Sequence, residues 1–245
     1  MIEVLTPQWS VSTKVHALVT TRVGGLSAAP FQSLNLGAHV NDLPAAVQEN
    51  RRLLQQQFKL PQPPRWLNQV HGQQIVQFSA LEHSDIPEAD GSYTKHPGVV
   101  LAVLTADCLP LFLTNAEGTE ISIVHCGWRS IAQGIIEQAL QNFDSAADTL
   151  QAWLGPAIGP RAFEVGDDVL LAMRALNKSH EAAFTPQPSR WLLNIYALVS
   201  AELKRHGVTH ITGGEHCTFN QANSFFSYRR DGVTGRMASL IWIEE

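Results

Sequence analysis

Three side chains of this sequence, His71, Cys108 and His125, have the chemistry to bind a metal ion. Two imidazoles and a thiolate suit zinc, and three protein ligands with a fourth position open make a catalytic arrangement. The intervals between them are long, unlike a compact C-x-x-C pair, so the residue types carry this reading and the spacing adds little. A bland reading stands beside it, because a free Cys and a neutral His are ordinary core residues. A third makes Cys108 a nucleophile with His125 or His71 as its base, which needs a lowered thiol pKa. A copper oxidase would want a denser set of histidines, and the 10 present include no H-x-H pair.

Further candidates surround these three. Asp107 adjoins Cys108 and reads as a general acid/base, as an acceptor that orients a histidine, or as a turn cap. Arg129 follows Gly127-Trp128 at an expected helix start, where it can help cradle an anion. Pairing with a surface acid is the alternative. Arg22, Arg229, Arg230 and Arg236 are other cations of this kind. Val23–Ser27 is a glycine turn able to bring backbone N–H groups to a ligand. Phe225, Phe226 and Tyr228 can stack on a flat ring or fill core. Cys126 points away from His125 if the two share one strand.

Strands must position these groups. Val99–Thr105, Leu109–Thr114 and Glu120–His125 are short, apolar and nearly uncharged, and Asn115–Gly118 is a turn between the last two. Cys108 thus lies between two buried strands and His125 ends a third. Val15–Thr21, Ile75–Phe78, Leu150–Leu154, Val208–Thr212 and Ala238–Ile243 also read as strands. Helices are expected from Pro44 to before Pro61, through Ile131, Ile135, Ala139 and Phe143, from Asp167/Asp168 through Met173, and over Leu192–His206. Residues 82–97 are polar and turn-rich and read as a surface excursion. The elements interleave irregularly, which suggests α+β and not strict βαβ alternation.

With 245 residues, 44% hydrophobic and 16% charged, the chain is expected to fold as one soluble domain over 1–245. A net charge of −5 argues against a nucleic-acid or anionic-membrane surface. Three cysteines make no disulfide framework, and neither a signal peptide nor a membrane span is apparent. A cytoplasmic location is expected, with no nucleic-acid or membrane partner.

Asn68–Gly72, Thr105–Pro110, His125–Arg129, Gly155–Pro160 and Phe225–Asp231 resemble the motifs of the laccase-domain (YfiH) family, in family order. The likeness extends from Thr21-Arg22 to Gly235–Ser239. It implies a single α+β domain with mixed central sheets flanked by helices, and a zinc held by His71, Cys108 and His125. It implies phosphorolysis of adenosine, inosine and methylthioadenosine to the free base and ribose-1-phosphate or its methylthio analogue, with deamination of adenosine. Cys108, Asp107 and His125 are then the catalytic candidates. Arg22, Asn35, Arg129 and Tyr228 are candidates for holding nucleoside or phosphate. The family has also been linked to copper-dependent oxidation of phenols and to cell-wall precursor editing, which suits a Cys108-dependent amide hydrolase. Partners are then small molecules, and a monomer is expected. Two departures stand out: Cys126 where relatives often carry Ala, and Ser130 where they often carry Gly.

Overall fold

Strands buried on both faces cannot alternate with polar residues, and the uncharged runs of this sequence form the centre of the molecule for that reason. The computed structural model describes residues 1–80 and 85–244. In chain order the elements are β1 (Val4–Leu5), β2 (Val15–Thr20), α1 (Pro44–Gln57), β3 (Ile75–Gln77), β4 (Gly91–Thr94), β5 (Leu101–Thr105), β6 (Leu109–Asn115), β7 (Ile121–Cys126), α2 (Trp128–Ala132) and α3 (Ile135–Leu140). There follow β8 (Leu150–Leu154), β9 (Glu164–Val165), α4 (Asp167–Leu176), β10 (Phe184–Pro186), β11 (Trp191–Leu193), α5 (Ile195–Arg205), β12 (His210–Gly213), α6 (Tyr228–Asp231) and β13 (Met237–Ile243).

One sheet runs β1-β2-β13-β5 and is antiparallel; a mixed one runs β12-β8-β6-β7-β4-β3; a small one runs β10-β11-β9. Leu101 and Val103 pack with Phe112, Ile121 and Ile123 in a core that joins the two large sheets. Ala102 and Leu104, on the other face of β5, pack with Leu34, Leu36 and Leu54, the last from α1. Leu111, Leu113, Val124 and Cys126 face a third cluster containing residues of α3, α4 and α5. The architecture is therefore mixed α+β, with sheets inside and helices outside, as the sequence suggested. Among the described residues no helix is long and apolar enough to cross a membrane.

The consecutive strands β5 and β6 belong to different sheets. The chain crosses between sheets at Ala106-Asp107-Cys108, and Asp107 takes φ 93° to do so. That crossing puts Cys108 at the junction of the two large sheets.

Three expectations fail locally. The helix through Ile131 and Phe143 is two short helices, because Gly134 adopts φ 87° between them. The helix expected from Leu192 begins at Ile195: Trp191–Leu193 pairs with β9 and β10, and Asn194 caps the helix by accepting from Ala197 N–H. The supposed excursion over 82–97 is corrected in its second half, while 82–84 lie outside the described residues. Gly91–Thr94 is a buried strand between β7 and β3. Its polar side chains misled the pattern, yet two of the three are satisfied internally: Thr94 Oγ1 donates to Phe78 O at 2.7 Å and Tyr93 OH donates to Glu120 at 2.6 Å. Gly91 lets the neighbouring strands close in, since a Cβ would stand 3.2 Å from the Ile123 carbonyl oxygen and displace the end of the Ile75 side chain.

Candidate metal centre

The ligand atoms of His71, Cys108 and His125 lie within 4.8 Å of one another, so each could reach a single ion. Cys108 comes from the crossing between sheets. His125 comes from β7, where it pairs with Pro110 of β6. His71 comes from a loop and holds φ 60°. A non-glycine residue in a sparsely populated region such as this costs about 1–3 kcal/mol, so surrounding contacts must impose it.

Asp90 imposes it. The carboxylate is fully buried. Its Oδ1 accepts from His71 N–H at 3.0 Å, and its Oδ2 accepts from Val70 N–H at 3.1 Å and Gly72 N–H at 2.7 Å. Oδ1 also lies 2.8 Å from His125 Nδ1. A carboxylate only accepts, so Nδ1 carries a proton, and in the neutral ring Nε2 has the lone pair for a ligand. Gln69 fastens the same loop to the edge of β5: it donates to Leu104 O at 2.9 Å and accepts from Leu104 N–H at 2.8 Å. Asp90 is the residue that sequence reasoning missed. Its signal was Ala89-Asp90-Gly91 within a run that reads as surface.

In the metal-free cluster Cys108 and His125 form a thiolate–imidazolium pair, so a bound ion must displace the proton on His125. Burial pushes the Cys108 thiol up, but the His125 and His71 imidazoles outweigh it and bring the thiol down to about 6. Burial opposes charge on His125 too, and the Cys108 thiolate with Asp90 raises it to about 9. Cys126 faces the helices instead, and burial with the Cys108 charge beside it pushes its thiol far up. Cys126 thus points away from His125, as strand alternation requires, and stays out of the three-residue group.

Gly127 makes room for the cluster. A Cβ there would stand 2.9 Å from His71 Cδ2 and 3.4 Å from Cys108 Sγ. Gly127 has φ −71°, so alanine is allowed by the backbone and only the space is lacking. A Gly127→Ala protein should fold normally yet hold metal about tenfold more weakly, as expected for about 1–2 kcal/mol of overpacking. Chelator competition beside a melting curve checks this; wild-type metal affinity would refute the crowding argument.

A cavity of about 620 Å³ opens over the cluster. Arg129 and Tyr228 line it, with Trp128, Phe163, Arg229 and Arg236. Asp107 also lines it, but both its oxygens are engaged: Thr218 Oγ1 donates to one at 2.5 Å and Arg229 N–H to the other at 2.7 Å. That is the turn-capping role, and it fixes the start of α6. Arg22 and Asn35 are not among the lining residues. Arg22 donates to Gln32 O and Ala222 O, at 2.9 and 3.0 Å, and lies over the Phe226 ring. Asn35 is buried and braces the 35–42 loop through Gly37 and Asp42.

A family model described as multi-copper polyphenol oxidoreductase laccase matches residues 16–244. The chain belongs to this family. Among its relatives are proteins named purine nucleoside phosphorylase: YfiH of Escherichia coli K12 is 45% identical, over 99% of this chain and 100% of its own. A Pseudomonas aeruginosa purine nucleoside phosphorylase is 46% identical over 98% of each. The crystal structure of a Neisseria meningitidis protein superposes with TM-score 0.94 at 43% identity, over 99% of both chains. That of a hypothetical YfiH protein of Bacillus licheniformis gives 0.88 at 31% identity, over 94% of this chain and 93% of the other. Despite the family's description, the described residues of this chain gather one group of three potential ligands, not several.

Proposed function

We propose that this chain is a zinc-dependent purine nucleoside phosphorylase, acting on adenosine, inosine and methylthioadenosine and also deaminating adenosine. The observation that carries the proposal is the convergence of His71, Cys108 and His125 on one wall of a cation-lined cavity. The names of the full-length relatives point to the same reaction. The donor set fits zinc: one thiolate and two imidazoles leave a tetrahedral position open. When bound, zinc supplies a Lewis acid and lowers the pKa of coordinated water.

The chain's own residues supply the rest. His125, oriented by Asp90, would hold the ion through Nε2, and Cys108 would supply the only negative ligand. The cavity size falls within the range of about 300–1,000 Å³ usual for small ligands. Trp128, Phe163 and Tyr228 give it aromatic walls for a purine. Arg129, over the Trp128 ring at 4.4 Å, is an exposed cation at this wall. Asp107 serves as a positioning residue, because its oxygens already hold Thr218 and Arg229. Arg22 and Asn35 act through the loop they brace. Copper in place of zinc is less suited to a lone three-ligand group with no further cluster among the described residues.

A lowered Cys108 thiol beside His125 also favours a second reading, a metal-independent cysteine hydrolase. Incubating metal-quantified protein with adenosine, with and without phosphate, separates the two. Phosphate-dependent ribose-1-phosphate, phosphate-independent inosine and loss of both on chelation are expected. A protein that makes neither product above a His71→Ala control is not this enzyme.

A further inference from the structure

Arg236 stands on the cavity wall just before β13, and its stem is held in place. A Cβ on Gly37 would lie 2.8 Å from Arg236 Cγ, so the aliphatic part packs directly on the Gly37 backbone. Its backbone N–H donates to Asn35 Oδ1 at 2.9 Å, and its carbonyl accepts from Leu36 N–H at 3.2 Å. Nη1 donates to Thr234 O and Gly235 O, both at 3.0 Å. The other edge of the guanidinium, Nε with Nη2, has no hydrogen-bond partner among the described residues. Nor does Arg236 form an ion pair with any described carboxylate.

A fixed, partly buried guanidinium without a counter-ion is unusual, because burial disfavours its charge. The groups whose negative charge would favour it are Cys108 and Asp107, with Tyr228. Asp107 already accepts from two donors, and the Cys108 thiolate is committed to the ion in the proposed enzyme. His39 lines the same cavity, and burial first, then Arg236 and Arg51, hold its imidazole below the usual range. Arg129 and Arg229 are occupied differently. Both are exposed and lie over aromatic rings, and Arg229 Nη1 donates to Glu164 O at 2.8 Å. A planar fork with a free two-nitrogen edge matches a phosphate bidentately.

We propose that Arg236 is the subsite that anchors the phosphate co-substrate; this rests on the phosphorolysis reading. Asn35 and Gly37 act through Arg236, which gives the Asn35 position a function that its burial hides.

The test uses the zinc-loaded full chain, titrated calorimetrically with inorganic phosphate and assayed for inosine phosphorolysis. Arg236→Met should weaken phosphate binding and raise KM for phosphate by about 30-fold, the usual scale for losing a charge-assisted pair. KM for inosine and zinc content should stay within about twofold. Arg236→Lys should fall between, keeping the charge but not the fork. Gly37→Ala, which displaces the stem without removing charge, should weaken phosphate about tenfold; it carries the test with Arg236→Lys if the Met variant does not fold. Phosphate affinity within about twofold of wild type in these variants, or no phosphate binding by wild type at millimolar concentration, overturns the subsite. Adenosine 5′-monophosphate binding that depends on Arg236, without such dependence for inorganic phosphate, overturns the co-substrate assignment. Arg236-dependent phosphate binding without ribose-1-phosphate formation supports the subsite and refutes the phosphorylase reading instead.

Discussion

An Asp90→Ala protein will lose about 3–5 kcal/mol of stability, the scale for leaving buried polar partners uncompensated. Its metal affinity will fall about 10- to 100-fold, as for other carboxylates behind a histidine ligand. Three backbone N–H groups and His125 Nδ1 converge on this one carboxylate, and alanine leaves all four without it. Burial opposes its charge, and the His125 and backbone hydrogen bonds overcome that and hold its pKa below the ordinary carboxylate range. A depressed carboxylate stabilises the fold fully above its unfolded pKa of about 4, and the contribution is lost as pH falls through the lower folded value. Acid unfolding of the wild type should therefore show a step that Asp90→Ala lacks. Urea denaturation of the metal-free proteins at neutral and acid pH reads the first effect, and chelator competition reads the second. Equal stability with equal metal affinity would remove Asp90 from the account.

Cys108→Ser will abolish stoichiometric zinc binding and lower phosphorolysis about 1,000-fold or more. Lewis-acid stabilisation is worth several kcal/mol, and about 4 kcal/mol corresponds to that factor. Serine keeps the size but gives up the soft anionic ligand. The substitution would equally disable a cysteine hydrolase, so chelation of the wild type must accompany it. The account expects chelated protein to lose activity and regain it with added zinc. Activity that persists in zinc-free wild type while Cys108→Ser is dead would favour the thiol mechanism. Acid should imitate chelation, because protons compete with metal at His71, His125 and Cys108. Excess zinc should then move the acid limb to lower pH.

The three candidate ligands were legible because of their residue types, and two of them, Cys108 and His125, because each ends or interrupts an apolar run. Their meeting was not, since it depends on β5 and β6 parting into different sheets at Asp107. Hydrophobic periodicity marks both strands as buried and carries no information on which sheet each joins. Asp90 escaped for a related reason. Its strand, Gly91–Thr94, is buried through polar side chains that find partners only in the folded protein. The cations show the limit differently. Arg22 and Arg236 look alike in sequence, yet one braces a loop and the other lines the cavity. Helix boundaries slipped where one residue decides them, as Gly134 and Asn194 do here.

Zinc back-titration of metal-stripped protein, with ribose-1-phosphate formation from inosine followed at each step, tests the central claim most directly. Rate should rise in proportion to bound zinc and level off at about one ion per chain, the capacity of a single three-ligand site. Full phosphorolysis before any zinc is bound, or a fully zinc-loaded protein that forms no ribose-1-phosphate, would contradict it.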